Sequence, residues 1–82
     1  MRKITEDSPH CWFVSSHKEE DGGAWITMNP TDGFFSVRYD IKWGLYGRYT
    51  IPDDEQYPNW DAAYEMADRV MHSVENDLII VD

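Results

Sequence analysis

Asn59-Trp60-Asp61-Ala62-Ala63-Tyr64-Glu65-Met66-Ala67-Asp68-Arg69-Val70-Met71-His72-Ser73-Val74-Glu75-Asn76 decides the fold. Counted from Trp60, the residues Ala63, Tyr64, Ala67, Val70, Met71 and Val74 recur at spacings of 3, 4, 7, 10, 11 and 14. Those spacings make one apolar stripe on a helix of 3.6 residues per turn. Asn59 offers a side-chain oxygen to the first free amides, and Asn76 is a suitable stop. A helix with one such stripe must bury it against another layer.

The residues before it supply that layer as short strands separated by turn signals. Cys11-Trp12-Phe13-Val14 reads as a first strand, and Ala24-Trp25-Ile26-Thr27-Met28 alternates as a half-buried second. Asp21-Gly22-Gly23 reads as the turn between them, and Asn29-Pro30-Thr31-Asp32-Gly33 as the next, with Gly33 free to take a positive φ. From Phe34 to Ile41, the residues Phe35, Val37, Tyr39 and Ile41 share the core face. A tight Lys42-Trp43-Gly44 connection leads to a fourth strand over Leu45–Ile51. The polar loop Pro52–Pro58 then reaches the helix, and Leu78-Ile79-Ile80-Val81 reads as a short closing strand. The expected fold is α+β: an antiparallel meander of about four strands packed by one C-terminal amphipathic helix. Residues 1–9 are polar and aperiodic, and read as a mobile tail before a single domain over 10–82.

Composition narrows the function classes. At 82 residues and 41% hydrophobic, the chain supports one modest core. No apolar run approaches the ~20 residues of a membrane span, and the N-terminus turns acidic before any signal-like run. With a lone Cys11 and no internal disulfide, the expectation is a cytoplasmic protein, in the host cytoplasm if the source is viral. No P-loop, GxGxxG or GxSxG motif is present, and His10, Cys11 and His17 lack the paired close spacings of structural zinc sites. The expectation is a non-enzyme with no cofactor and no metal.

The net charge of -9 is unevenly distributed. Residues 1–52 hold 7 acidic and 6 basic side chains, whereas residues 53–82 hold 9 acidic side chains against Arg69 alone. Asp61, Glu65, Asp68, His72 and Glu75 fall opposite the apolar stripe, and Asp53, Asp54 and Glu55 extend the row into the preceding loop. Any soluble helix has a charged outer face; here Arg69 alone is interspersed, chiefly relieving Glu65, and Asp61 and Glu65 stand as like charges four apart, at a cost of a few tenths of a kcal/mol. Asp61 and Glu75 lie about 21 Å apart along the axis, with intermediate charges at intervals comparable to the phosphates of a nucleic-acid strand. The row therefore suits a basic, nucleic-acid-binding surface on a protein partner, and Trp43 at its loop tip suits an interface anchor.

In size, charge and lack of catalytic residues the chain resembles the small accessory proteins of phages that block host defence nucleases, the anti-CRISPR and anti-restriction proteins. The resemblance implies an inhibitor or adaptor whose partner is a protein, with no direct nucleic-acid contact and no membrane. The competing surface is the outer sheet face, where Trp25, Arg38, Tyr46 and Arg48 interleave aromatics with arginines as base-stacking faces do. A sheet backed by a helix is also similar in outline to the DNA-binding domains of phage-integrase arms and plant ethylene-response factors. Edge strands leave a homodimer, or an oligomerising structural subunit, as the third alternative. The charge makes a direct prediction: purified protein should retain neither DNA nor RNA in a gel shift at about 150 mM salt. Tight retention there, lost in Arg38→Ala and Arg48→Ala, would favour the sheet face.

Overall fold

The computed structural model describes residues 2–17, 22–42, 48–52 and 55–76, with only the backbone path at 42, 48, 49, 51 and 52. Five strands precede one helix: β1 Ile4–Ser8, β2 Cys11–Ser15, β3 Gly22–Met28, β4 Phe35–Lys42, β5 Arg48–Pro52 and α1 Trp60–Glu75. The strands form one antiparallel sheet in sequential order, and α1 packs on it over β3 and β4. The four expected strands occur in the expected meander. Residues 43–47 and 77–82 lie outside the described residues, and with them the Lys42-Trp43-Gly44 connection and the closing strand.

The fifth strand corrects the expectation of a tail. Ile4–Ser8 pairs with β2 from Ile4 opposite Val14 to Ser8 opposite Cys11, with a bulge between Glu6 and Ser8. Pro9 and His10 turn the corner, Pro9 presetting φ and His10 taking a positive φ of 66°. Ser8-Pro9 is therefore the end of a hairpin arm. All five β1 residues are exposed, so no buried face imprints an alternating pattern on the sequence.

Gly22 and Gly23, expected as a turn, instead open β3. Gly22 has φ 95°, and a Cβ there would collide with the Asp40 carbonyl of β4. The next loop follows its sequence. The Asn29 Oδ1 accepts the Thr31 N–H at 2.9 Å, the Asp32 Oδ1 accepts the Phe34 N–H at 2.9 Å, and Gly33 takes φ 77°.

The core lies between the sheet and α1. Val14, Ala24, Ile26, Val37, Tyr39 and Ile41 from the sheet meet Ala63, Ala67, Met71 and Val74 from the helix, all buried. The remaining stripe residues Trp60, Tyr64 and Val70 are half-buried at its border. Tyr57 also belongs to the core: it exchanges both backbone hydrogen bonds with Phe35 at 2.8 Å, which pins the loop before the helix. Asn59 caps α1, its Oδ1 accepting the Ala62 N–H at 2.9 Å, and Asn76 ends it with its N–H donated to the His72 carbonyl. Among the described residues no helix is long and apolar enough to cross a membrane.

Ala67 has no exposed surface and faces β-strand side chains. Ala67→Asp should cost at least ~3 kcal/mol or unfold the domain, because its carboxylate has no partner there. Thermal melting checks this, and a loss below ~1 kcal/mol would mean the stripe is not the core.

Candidate functional site

The acidic row divides into two unequal parts. Asp61 and Glu65 are exposed on the first two turns of α1, with Glu55 exposed in the loop before them. Arg69 reaches Glu65 at 3.2 Å, but both side chains are largely in solvent, where such pairs contribute little. Asp68 is about half exposed. Asp53 and Asp54 lie outside the described residues, as do Trp43 and Tyr46.

Glu75 departs from the row. A seven-residue step on a 3.6-residue helix slips by about 20°, so Asp61, Asp68 and Glu75 turn progressively toward the sheet. Near the helix end the chain's second residue meets Asp68 and Glu75. The guanidinium of Arg2 grips the Glu75 carboxylate with two bonds of 2.7 Å, and its Nε donates to the Asp68 Oδ1 at 2.7 Å. The Glu75 Oε2 also accepts the Ser16 hydroxyl at 2.8 Å and the His17 N–H at 2.6 Å. The Arg2 side chain is 2% exposed and that of Glu75 10%.

Hydrogen bonding from Arg2 holds the Glu75 carboxyl down at about 2, below its ordinary 4.5, against the opposing effect of burial. A carboxylate in the last turn of a helix sits at the negative end of its dipole, an unfavourable place that these donors offset. Glu75 is therefore satisfied within the fold. Neither Arg2 nor Ser16 carries a local motif; only a helix acid drifting off the outer face hints at an internal cation.

The outer sheet face is uncovered among the described residues. Phe13 and Trp25 meet there across β2 and β3, ring centroids 4.7 Å apart. Gly23 makes room for this pair: an added Cβ would stand 2.6 Å from the Phe13 ring. Lys3, Thr5, Asp7 and Ser15 complete a shallow groove with the two rings, and exposed Arg38 stands opposite Trp25 in register. Arg48 is placed in β5 opposite Lys42. Phe13 was not among the expected face residues.

A second apolar cleft opens on the helix side, lined by Ile4, Trp12, Phe35 and Trp60. Trp12 meets Trp60 edge-on with centroids 5.2 Å apart, joining the β1–β2 hairpin to the start of α1. Both openings adjoin the β1–β2 hairpin, one reaching Trp25 of β3 and the other Phe35 of β4 and Trp60 of α1. Among the described residues no group of three or more His, Cys, Asp or Glu is placed to hold a metal ion.

The Arg2–Glu75 contact has a pH signature. The folded pKa of Glu75 lies below its unfolded value, so its stabilisation is complete above about 4.5 and is lost as the pH falls toward about 2. Arg2→Ala should cost about 2 kcal/mol at pH 7 and lower Tm by about 10 °C, because a largely buried carboxylate is left without its cation. Glu75→Gln should flatten stability between pH 4.5 and 2 relative to wild type. An unchanged acid slope would place Glu75 in solvent.

Comparisons with protein-family models, with curated proteins and with solved structures find no match to this chain.

Proposed function

We propose that the protein is a non-catalytic binding module that docks on a basic, nucleic-acid-binding surface of a protein partner, as an inhibitor or adaptor. The observation that carries this reading is the exposure of Asp61 and Glu65 on the side of α1 turned away from the sheet, with Glu55 exposed in the loop before it. Arg69 is the one Lys or Arg in that helix. Such a patch attracts a cationic cleft over several ångströms and accelerates encounter, more so at low salt. A nuclease cleft that ordinarily receives phosphates has the required sign, and a host defence nuclease met in the cytoplasm is the partner this reading favours. Asp68 contributes from the border of the patch while it also accepts from Arg2.

A second reading rests on the outer sheet face. The Phe13–Trp25 pair on adjacent inner strands, with Arg38 opposite Trp25, has the composition of a base-stacking platform. The overall charge of -9 opposes it.

The test reverses exposed acids and spares Asp68 and Glu75, which bond Arg2. A Glu55→Lys, Asp61→Lys, Glu65→Lys variant should keep the wild-type circular dichroism spectrum and lose capture of a basic protein partner by at least about tenfold. DNA or RNA added to the wild-type complex should compete. Equal capture by the folded variant, with no dependence on salt, contradicts the acidic surface. Loss of capture in Trp25→Ala and Arg38→Ala instead would move the function to the sheet face.

A further inference from the structure

Trp12, Phe35 and Trp60 line an open cleft of about 310 Å³ on the helix side of the sheet, with Ile4 beside them. Ligand clefts run from roughly 300 Å³ upward, so this one suits a single side chain. All three rings are half-buried. Trp60 stands at 74° to both neighbours, with centroids 5.2 Å from Trp12 and 6.3 Å from Phe35, and Trp12 and Phe35 are 6.3 Å apart. A cation seated over this corner would lie within about 6 Å of all three centroids, close enough for each ring to attract it.

A carboxylate stands on the same side. Antiparallel partners share a face of the sheet, so Glu6, opposite Trp12 in register, rises on the cleft side together with Ile4. Glu6 is exposed, and among the described residues its carboxylate has no hydrogen bond or ion pair. The cations nearest to it in sequence are engaged elsewhere: Arg2 bonds Glu75 and Asp68, and Lys3 lines the groove on the opposite face. The cleft thus offers aromatic walls and an uncompensated negative charge.

We propose that it receives an arginine side chain of the basic protein partner, the guanidinium stacked on the rings and its N–H fork on the Glu6 carboxylate. A guanidinium is planar, sheds water more readily than an ammonium, and donates to a carboxylate in pairs. A lysine would exchange a tightly held water shell for apolar walls, and an uncharged side chain would leave Glu6 without a counter-charge. Trp60 opens α1 and is followed directly by exposed Asp61, so one basic surface can meet the cleft and the helix acids together. This inference rests on the reading of a basic partner and adds the side chain that anchors it.

The test follows the indole N–H resonances by NMR while a blocked Gly-Arg-Gly peptide is added. Those of Trp12 and Trp60 should shift and saturate with a Kd on the order of millimolar, while that of Trp25 on the other face stays in place. Lysine in the peptide should weaken binding about threefold, and citrulline, the uncharged isostere, about tenfold. Glu6→Gln, at an exposed strand position, should fold as wild type and weaken the arginine peptide about fivefold. Trp60→Leu keeps an apolar contact but loses the ring, and should weaken it similarly with an unchanged circular dichroism spectrum. Equal binding of the arginine and citrulline peptides overturns the proposal, as does an affinity that Glu6→Gln leaves unchanged or the lack of any saturable shift. The helix-acid variant keeps the two claims apart. If it loses partner capture while the peptide leaves Trp12 and Trp60 unmoved, the cleft alone fails; if it captures as wild type while the peptide binds as expected, the acidic helix surface alone fails.

Discussion

The bond between Arg2 and Glu75 joins the first described residue to the last turn of the helix, across 73 positions of sequence. The β1–β2 hairpin lies at one edge of the sheet; Val14 of β2 reaches the core, but β1 is exposed throughout and has no buried side chain of its own to hold it. Among the described residues it is held by the ladder from β2 to β3, by the Trp12–Trp60 edge contact at one end, and by the Arg2 fork at the other. The same fork neutralises a carboxylate that would otherwise oppose the helix dipole. One side chain thus fixes the hairpin, the helix end and the local electrostatics together.

That arrangement also sorts the acidic residues. Glu75 and, in part, Asp68 are structural, whereas Asp61 and Glu65 are exposed at the other end of the helix. A helix face that looks uniform by spacing is therefore two surfaces. The half near Asn59 is available to a cationic partner, and the half near Asn76 is committed to the fold. The sheet has a comparable division, with its buried side given to the core and its outer side left to Phe13, Trp25 and Arg38.

Legibility followed periodicity. The helix stripe, the caps Asn59 and Asn76, and the alternation of β3 and β4 were readable because a buried face forces apolar residues into register with the backbone. β1 was not, since a strand exposed on both faces has no apolar period. Its hairpin corner, Ser8-Pro9-His10, looks the same as the end of a tail. Tyr57 was hidden in a polar loop because a single bridge to Phe35 buries it. Spacing alone puts Glu75 in the outer row. Its inward turn depends on a slip of about 20° per heptad and on a cation 73 residues away, which no local pattern records. The acidic patch itself is legible in Glu55, Asp61 and Glu65, whereas Cys11-Trp12-Phe13-Val14 is apolar throughout, so no alternation in it marks Phe13 as an outer-face residue.

A double-mutant cycle between Arg2 and Glu75, using Arg2→Met and Glu75→Gln at neutral pH and measuring unfolding free energies by urea titration, isolates this contact from its surroundings. A coupling energy of at least about 1.5 kcal/mol is the result the account predicts, in keeping with a bidentate, solvent-shielded pair. A coupling near zero would contradict it, leaving the N-terminal arm and the helix end as independent parts of the molecule.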